Sequence, residues 1–442
     1  MNPEIEKQII ERSGVDQSNI LELQNVQSYY PGTKVSNGVD TGEECMIVGV
    51  VKKVNKGNLK SEDLVPDVLD NGVKTDVIEE SDIQRYGFCG TKSLLGVGAA
   101  PYGPCAGHVF GEDQKPFKKI RGGVSIGPSL EAHHWTGTLG IVARDKDDGS
   151  LVGLTNNHVL GDYMDPDHEY LGCYSDGEFL PDLYRVDQNL KPIEEKVIQT
   201  PSYRDANGTS MRLGTVKKSV PTKWGKGYSN LPSNKVDAGT IRLDPGIQPA
   251  TYLQGLLPGP FKVGEARQGE RVAKSGRTTG VTGLMDIGSP TRIVSSNYTV
   301  GVYSGCDDGL FAKFSDCIKF TWNPHSNQDW EWFSYAGDSG SAVLMNDNGE
   351  HKLVGLLFAG THFQSDAHVP NPPYGTGVAC KIQNVFEDLN LEAWDGKVVC
   401  DSSGQFINID GQCYINTENK KNKSKITHSE FVQHDSAGNC LE

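Results

Sequence analysis

Ser339 stands in Tyr335-Ala336-Gly337-Asp338-Ser339-Gly340-Ser341-Ala342-Val343, a glycine-flanked polar turn that runs into an apolar strand. A serine hydroxyl is a weak nucleophile at neutral pH. It attacks a carbonyl only with a base in hydrogen-bond reach and with donors aimed at the oxyanion that develops. Gly337 and Gly340 allow backbone conformations barred to other residues, so the N–H groups of Gly337 and Ser339 could converge on one point as an oxyanion hole. Taken alone, these nine residues would also serve as an ordinary hairpin turn, so the choice rests on partners. His158 ends the apolar run Leu151-Val152-Gly153-Leu154-Thr155-Asn156-Asn157-His158, where a general base would sit. Asp237 heads the alternating run Val236-Asp237-Ala238-Gly239-Thr240-Ile241-Arg242-Leu243, where a carboxylate could orient the imidazole. Singly, His158 could be a satisfied core histidine and Asp237 a turn residue. In the order His158, Asp237, Ser339 they suit a base, an orienting acid and a nucleophile.

With those flanks the chain resembles the chymotrypsin-type, or trypsin-like, serine peptidases. Their signatures are a Thr-x-x-His turn, an Asp-x-x-x-Ile strand and Gly-Asp-Ser-Gly, matched here by Thr155 to His158, Asp237 to Ile241 and Gly337 to Gly340. Gly122-Gly123-Val124-Ser125-Ile126-Gly127, Gly137-Thr138-Leu139-Gly140 and Lys274-Ser275-Gly276-Arg277-Thr278-Thr279-Gly280 resemble the large non-secreted members of bacteria and plants, including the plant narrow-leaf type. The resemblance spans about residues 25 to 392. It implies a mainly β fold with two antiparallel six-stranded β-barrels behind a small α+β domain. It also implies a serine endopeptidase that needs no cofactor or metal and acts on protein or peptide. The alternative is a catalytically silent member of the fold that serves as a binding or scaffolding protein.

The resemblance further implies that Phe358-Ala359-Gly360 pairs with the substrate backbone. It places Phe333 near the floor of the specificity pocket, with Ser334 beside it and Gly360 and Gly377 along the walls. No acid stands among these residues, so an apolar side chain is expected before the cleaved bond rather than Lys or Arg. Lys118-Lys119-Ile120-Arg121-Gly122-Gly123 superficially resembles the activation site of secreted relatives, in which a new amino terminus pairs with the Asp beside the nucleophile. Burying such a pair demands good geometry. The expectation is that Asp338 is held by internal donors and that the chain needs no cut.

The elements that must position these groups read as follows. Residues 1–85 suggest a small α+β module: a helix over Glu4 to Arg12, a strand over Cys45 to Val54, a helix near Leu59 to Leu69 and a strand over Val73 to Ile78. Residues 86–121 are a Gly- and Pro-rich connector. Residues 122–245 would form the first barrel with His158 and Asp237, residues 246–392 the second with Ser339, and residues 393–442 a polar tail. With Lys plus Arg at 42 against Asp plus Glu at 57, the net charge of −15 argues against a nucleic-acid partner. No run of about 18 apolar residues suggests a membrane span, and Met1-Asn2-Pro3-Glu4-Ile5-Glu6-Lys7 lacks a signal-peptide profile, so a cytoplasmic location is expected. The ten cysteines show no CxxC spacing and most read as buried thiols; Cys400 and Cys413 are the exception, a pair that would close a short loop in the tail in an oxidising compartment. The sequence leaves the oligomeric state open.

Overall fold

The structure is a computed structural model and describes residues 3–13, 20–23, 25–36, 39–70, 72–80, 83–85, 119–129, 136–161, 186–193, 195–201, 210–226, 231–254, 259–283, 291–303, 310–322, 333–361, 375–399, 406–409 and 412–415. Among these residues the chain is mainly β, with α-helices at Pro3–Ser13, Asn157–Leu160 and Ile382–Asp388. No helix among them is long and apolar enough to cross a membrane.

One sheet runs in the order Leu391–Ala393, Ile141–Asp145, Leu151–Thr155, Gly239–Leu243, Met211–Ser219, Val197–Thr200, Ser125–Pro128, Gly137–Thr138. Its local logic is plain at Ile141–Thr155. Two apolar runs flank Lys146-Asp147-Asp148-Gly149, and Gly149 takes φ +72°, as a reversal there requires. Register then decides the site. Leu151–Thr155 and Gly239–Leu243 are antiparallel, with Thr155 opposite Gly239 and Val152 opposite Arg242. The residues just after Thr155 and those just before Gly239 therefore meet at one sheet edge.

The second sheet follows the order Gly280–Thr282, Val272–Gly276, Ala342–Asp347, Glu350–Thr361, Gly375–Lys381, Leu310–Trp322, Arg292–Tyr303, Val26–Ser36, Val39–Val50, Thr75–Glu79. It also curls back on itself. Val272 N donates to Thr291 O (3.1 Å) and Ile293 N to Glu270 O (3.0 Å), which returns the Arg292 strand to the start of Val272–Gly276. Lys274 pairs with Val343, so the turn after Gly276 lies against the turn before Ala342.

Residues 1–85, expected as a module of their own, are joined to this sheet by backbone pairing of Ser28 with Val300 and Tyr29 with Thr299. Tyr30, Cys45 and Ile47 share a buried cluster with Val152 and Leu154 of the first sheet and with Leu344 and Leu356 of the second. The helix expected near Leu59 to Leu69 is not formed. The segment makes one 3-10 turn, Ser61–Asp63, after another just before it at Lys56–Asn58; Pro66, inside the expected helix, has no amide hydrogen to donate. The strand expected to run on to Val54 stops at Val50. Of the connector, residues 119–121 are described, and they belong to the strand Lys119–Gly122, parallel to Gln248–Leu253. The tail is not wholly irregular: Lys397–Val399, Phe406–Ile409 and Gln412–Ile415 form an antiparallel sheet.

Candidate active site

His158 lies on the short helix Asn157–Leu160 directly after Leu151–Thr155, and Asp237 lies two residues before Gly239–Leu243. The antiparallel register brings them into contact. His158 Nδ1 donates to Asp237 Oδ2 at 2.7 Å, and the His158 amide donates to Asp237 Oδ1 at 3.1 Å. Both carboxylate oxygens thus hold one residue. With its proton on Nδ1, the ring leaves Nε2 as a lone-pair acceptor, the arrangement a general base requires. Nε2 is buried and has no hydrogen-bond partner among the described residues.

Asp237 is itself held from behind. Asn156 Nδ2 donates to its carbonyl oxygen at 2.6 Å, and its amide donates to Cys380 Sγ at 3.2 Å. Burial pushes the Cys380 thiol well above its ordinary range, so it stays a neutral acceptor. Next to His158, Asn157 Oδ1 accepts from Ser219 Oγ at 2.7 Å and its Nδ2 donates to Thr222 Oγ1 at 3.1 Å.

The turn that carries Ser339 is organised by Asp338. Its Oδ1 accepts from the amides of Thr278 (2.9 Å) and Thr279 (3.1 Å). Its Oδ2 accepts from Thr279 Oγ1 (2.6 Å) and the Tyr335 amide (2.9 Å), and Lys274 Nζ stands 3.1 Å away. Lys274 and Asp338 have no exposed side-chain surface. Asp338 is thus held by internal donors. Ile120, the residue a new amino terminus would have to supply, is fully buried on its own strand.

Gly337 (φ +96°) and Gly340 (φ +90°) hold left-handed conformations, and a Cβ on Gly337 would collide with Thr278 Oγ1. Asp338, Gly340 and Ser341 donate their amides to Tyr335 O, Leu357 O and Asp338 O. The amides of Gly337 and Ser339 have no acceptor among the described residues. These are the two groups read from the sequence as an oxyanion hole.

The two sheets meet at Gly137-Thr138. Thr138 donates its amide to Ser339 O (2.7 Å) and its hydroxyl to Gly337 O (2.9 Å), while accepting from the Arg277 amide (2.9 Å). A side chain on Gly137 would meet both Val159, next to His158, and Ser339 O. Val159, which follows His158, and the Ser339 carbonyl therefore flank the same glycine. The Ser339 hydroxyl is fully buried and makes a long 3.4 Å contact to Phe358 O; it is not hydrogen-bonded to His158.

The specificity candidates gather in a connected chain of contacts. Gly360 pairs with Gly377, and Gly377 pairs with Phe320, whose ring fills the space a Gly377 side chain would need. Phe333 packs edge-on against that ring with centroids 4.9 Å apart, and its carbonyl accepts from Thr282 Oγ1 at 2.6 Å. Ser334 and Ala359 are fully buried, and the Phe358 ring packs on Phe314 with centroids 4.7 Å apart. Among the described residues no group of three His, Cys, Asp or Glu side chains could hold a metal ion.

Sequence reasoning gave no role to Thr138, Lys274, Asn156 or Cys380. Thr138 and Lys274 lay within stretches noted only for their resemblance, and the chain distance to their partners hid what they hold.

No protein-family model matches this chain, and no curated protein matches it. Among solved structures it is similar to a chymotrypsin of Cellulomonas bogoriensis, at 15% identity over 63% of this chain and 99% of that one, with a TM-score of 0.34. It is also similar to protease A of Thermobifida fusca, at 16% identity over 63% of this chain and 100% of that one, with a TM-score of 0.34. A third is the Nocardiopsis protease NAPase, at 14% identity over 62% of this chain and 98% of that one, with a TM-score of 0.33. At these values the likeness transfers no residue role.

Proposed function

We propose that the chain is a serine endopeptidase in which Ser339, His158 and Asp237 act as a catalytic triad on two six-stranded barrels. The observation that carries the reading is the double hold of Asp237 on His158, which leaves a buried Nε2 with no partner among the described residues, while Val159 beside it and Ser339 O border the same glycine, Gly137. Rotation of the Ser339 hydroxyl away from Phe358 O would hand its proton to Nε2 as Oγ attacks the substrate carbonyl carbon. The carbonyl oxygen, now negative, is stabilised by the Gly337 and Ser339 amides. Collapse expels the amine, which takes the proton from Nε2. Water, deprotonated by the same nitrogen, then releases the acid and restores Ser339.

In this reading Phe358, Ala359 and Gly360 align the substrate backbone, and Phe333, Ser334 and Gly377 shape the pocket. The pocket prefers a medium or large apolar residue before the cleaved bond, the substrate is protein or peptide, and the site of action is the cytoplasm. A peptide library digested by wild type and by Ser339→Ala tests it: wild type is expected to cut after apolar residues and the variant not at all. Equal cleavage by both proteins, or cleavage only after Lys and Arg, would contradict the reading. The full burial of Ser339 favours a second reading, a silent binding protein of the same fold, for which neither protein would cut.

A further inference from the structure

The strand Glu350–Thr361 has two edges. One pairs with Gly375–Lys381 as far as Gly360 opposite Gly377. The other pairs with Ala342–Asp347 only until Leu356 meets Ala342. Beyond Leu357, which exchanges bonds with Gly340 and Ser341, that second edge opens beside the nucleophile, at Phe358, whose carbonyl the Ser339 hydroxyl touches. An extended chain added there would extend the sheet by β-augmentation, with main-chain bonds giving the affinity.

The edge already has an occupant. Ile83–Arg85 pairs with it antiparallel, Ile83 opposite Thr361, Gln84 opposite Gly360 and Arg85 opposite Ala359. The direction matters, because each step from Ile83 to Arg85 is a step from Thr361 toward Phe358 and hence toward Ser339. The residues before a scissile bond have to run that way.

The segment is also tethered. Ile83 is 2% exposed and packs in the buried cluster with Tyr30, Tyr298 and Phe358. Three residues earlier, Glu80 forms a buried ion pair with Lys319 and accepts from Ser28 Oγ (2.5 Å) and Tyr298 OH (3.2 Å). A strand hung so close to its anchor stays at high effective concentration at the edge it covers.

We propose, resting on the peptidase reading above, that Ile83–Arg85 is a built-in occupant of the substrate-binding edge. An incoming extended peptide must displace it, and the chain as described is in a self-covered state. Ser339 with no exposed surface and His158 at 4% accord with that state.

Two measurements test the proposal on the full chain. The first uses wild type and a tetrapeptide aldehyde ending in phenylalanine, which adds reversibly to a reactive serine. With the site saturated, amide hydrogen exchange at residues 83–85 should speed up at least tenfold. Unchanged or slower exchange there, with aldehyde bound, overturns the proposal. The second compares wild type with Gln84→Pro and with Arg85→Pro; together these remove the amide donor at each position, and Ile83 keeps its core packing. A tetrapeptidyl phosphonate should label Ser339 at least tenfold faster in one or both variants, while a minimal alkyl fluorophosphonate gains less. Equal peptidyl rates in all three proteins, with Ser339 reactive to the minimal probe, overturn self-occupation and leave the peptidase reading standing. No reaction of Ser339 with either probe in any of the three overturns the peptidase reading and this proposal with it.

Discussion

Asp237 stands at the edge of one sheet against an imidazole, and Asp338 stands at the edge of the other against a lysine; neither has exposed surface. Their surroundings differ in what they hold. Asp338 receives two amides on one oxygen and an amide, a hydroxyl and an ammonium on the other, all from the turn and the strand that surround it. Asp237 accepts on one oxygen from the His158 amide and on the other from the His158 ring. A buried carboxylate saturated by fixed donors holds a turn in shape. One wired to an imidazole sets that ring's tautomer and supports its charged form.

The comparison is broken most severely at Asp237. Replacing it by Asn keeps the shape but lets an amide N–H face the ring, favouring the wrong tautomer. The expected result is a kcat lower by on the order of 10⁴ with little change in KM. A loss under tenfold in steady-state peptide hydrolysis would place Asp237 with Asp338 as scaffold.

At Asp338 the corresponding change should register in stability. Lys274→Met leaves a buried carboxylate without its cation, which costs about 3–5 kcal/mol in denaturant unfolding. Adding Asp338→Asn to Lys274→Met should return part of that loss, because the uncompensated charge is gone. If the double variant were no more stable than Lys274→Met alone, the ion pair would not be what holds the turn.

Much of this was legible in the sequence, and what was not has a physical reason. His158 and Asp237 meet because the ends of two adjacent antiparallel strands meet, and both runs show β patterning. The turn at Ser339 announces itself through Gly337 and Gly340, which take left-handed conformations. Thr138 was not legible as a clamp, since its partner Gly337 lies 199 positions away and short-range patterns carry no such information. Lys217 and Lys218 show another contact that strand periodicity does not predict. Neighbours on a regular strand face opposite sides, yet both ammonium groups reach Asp145, because the pairing with Gly239–Leu243 shifts register between Val216 and Lys218. The helix expected near Leu59 does not form because Pro66 lies inside it and has no amide hydrogen to donate. The pairing of Ile83–Arg85 with Ala359 to Thr361 could not be read at all, being set by register between remote segments.

Thr138 joins the two regions, so its loss should be intermediate. Thr138→Val keeps the shape and removes the hydroxyl, leaving Gly337 O and the Arg277 amide without that partner, at about 1–3 kcal/mol of stability. Thr138→Ser should restore most of the activity and stability, which a pure packing role for the methyl group would not allow.

The smallest effect is expected at high pH, in the residue that opens the nucleophile turn. Burial pushes the Tyr335 phenol up from 10.0 to about 12. The folded state therefore keeps a proton that the unfolded chain releases first. Stability from this group is complete below pH 10 and is lost as pH rises toward 12. Tyr335→Phe should flatten that part of the stability–pH curve, while an unchanged slope would assign the alkaline loss to other groups.

The most direct test of the central claim is the site of covalent capture. An alkyl fluorophosphonate incubated with the intact chain, followed by peptide mapping by mass spectrometry, should place one adduct on Ser339. His158→Ala should slow its formation by several orders of magnitude, and Ser339→Ala should abolish it. An adduct on another serine, or labelling of Ser339→Ala at the wild-type rate, would contradict the account.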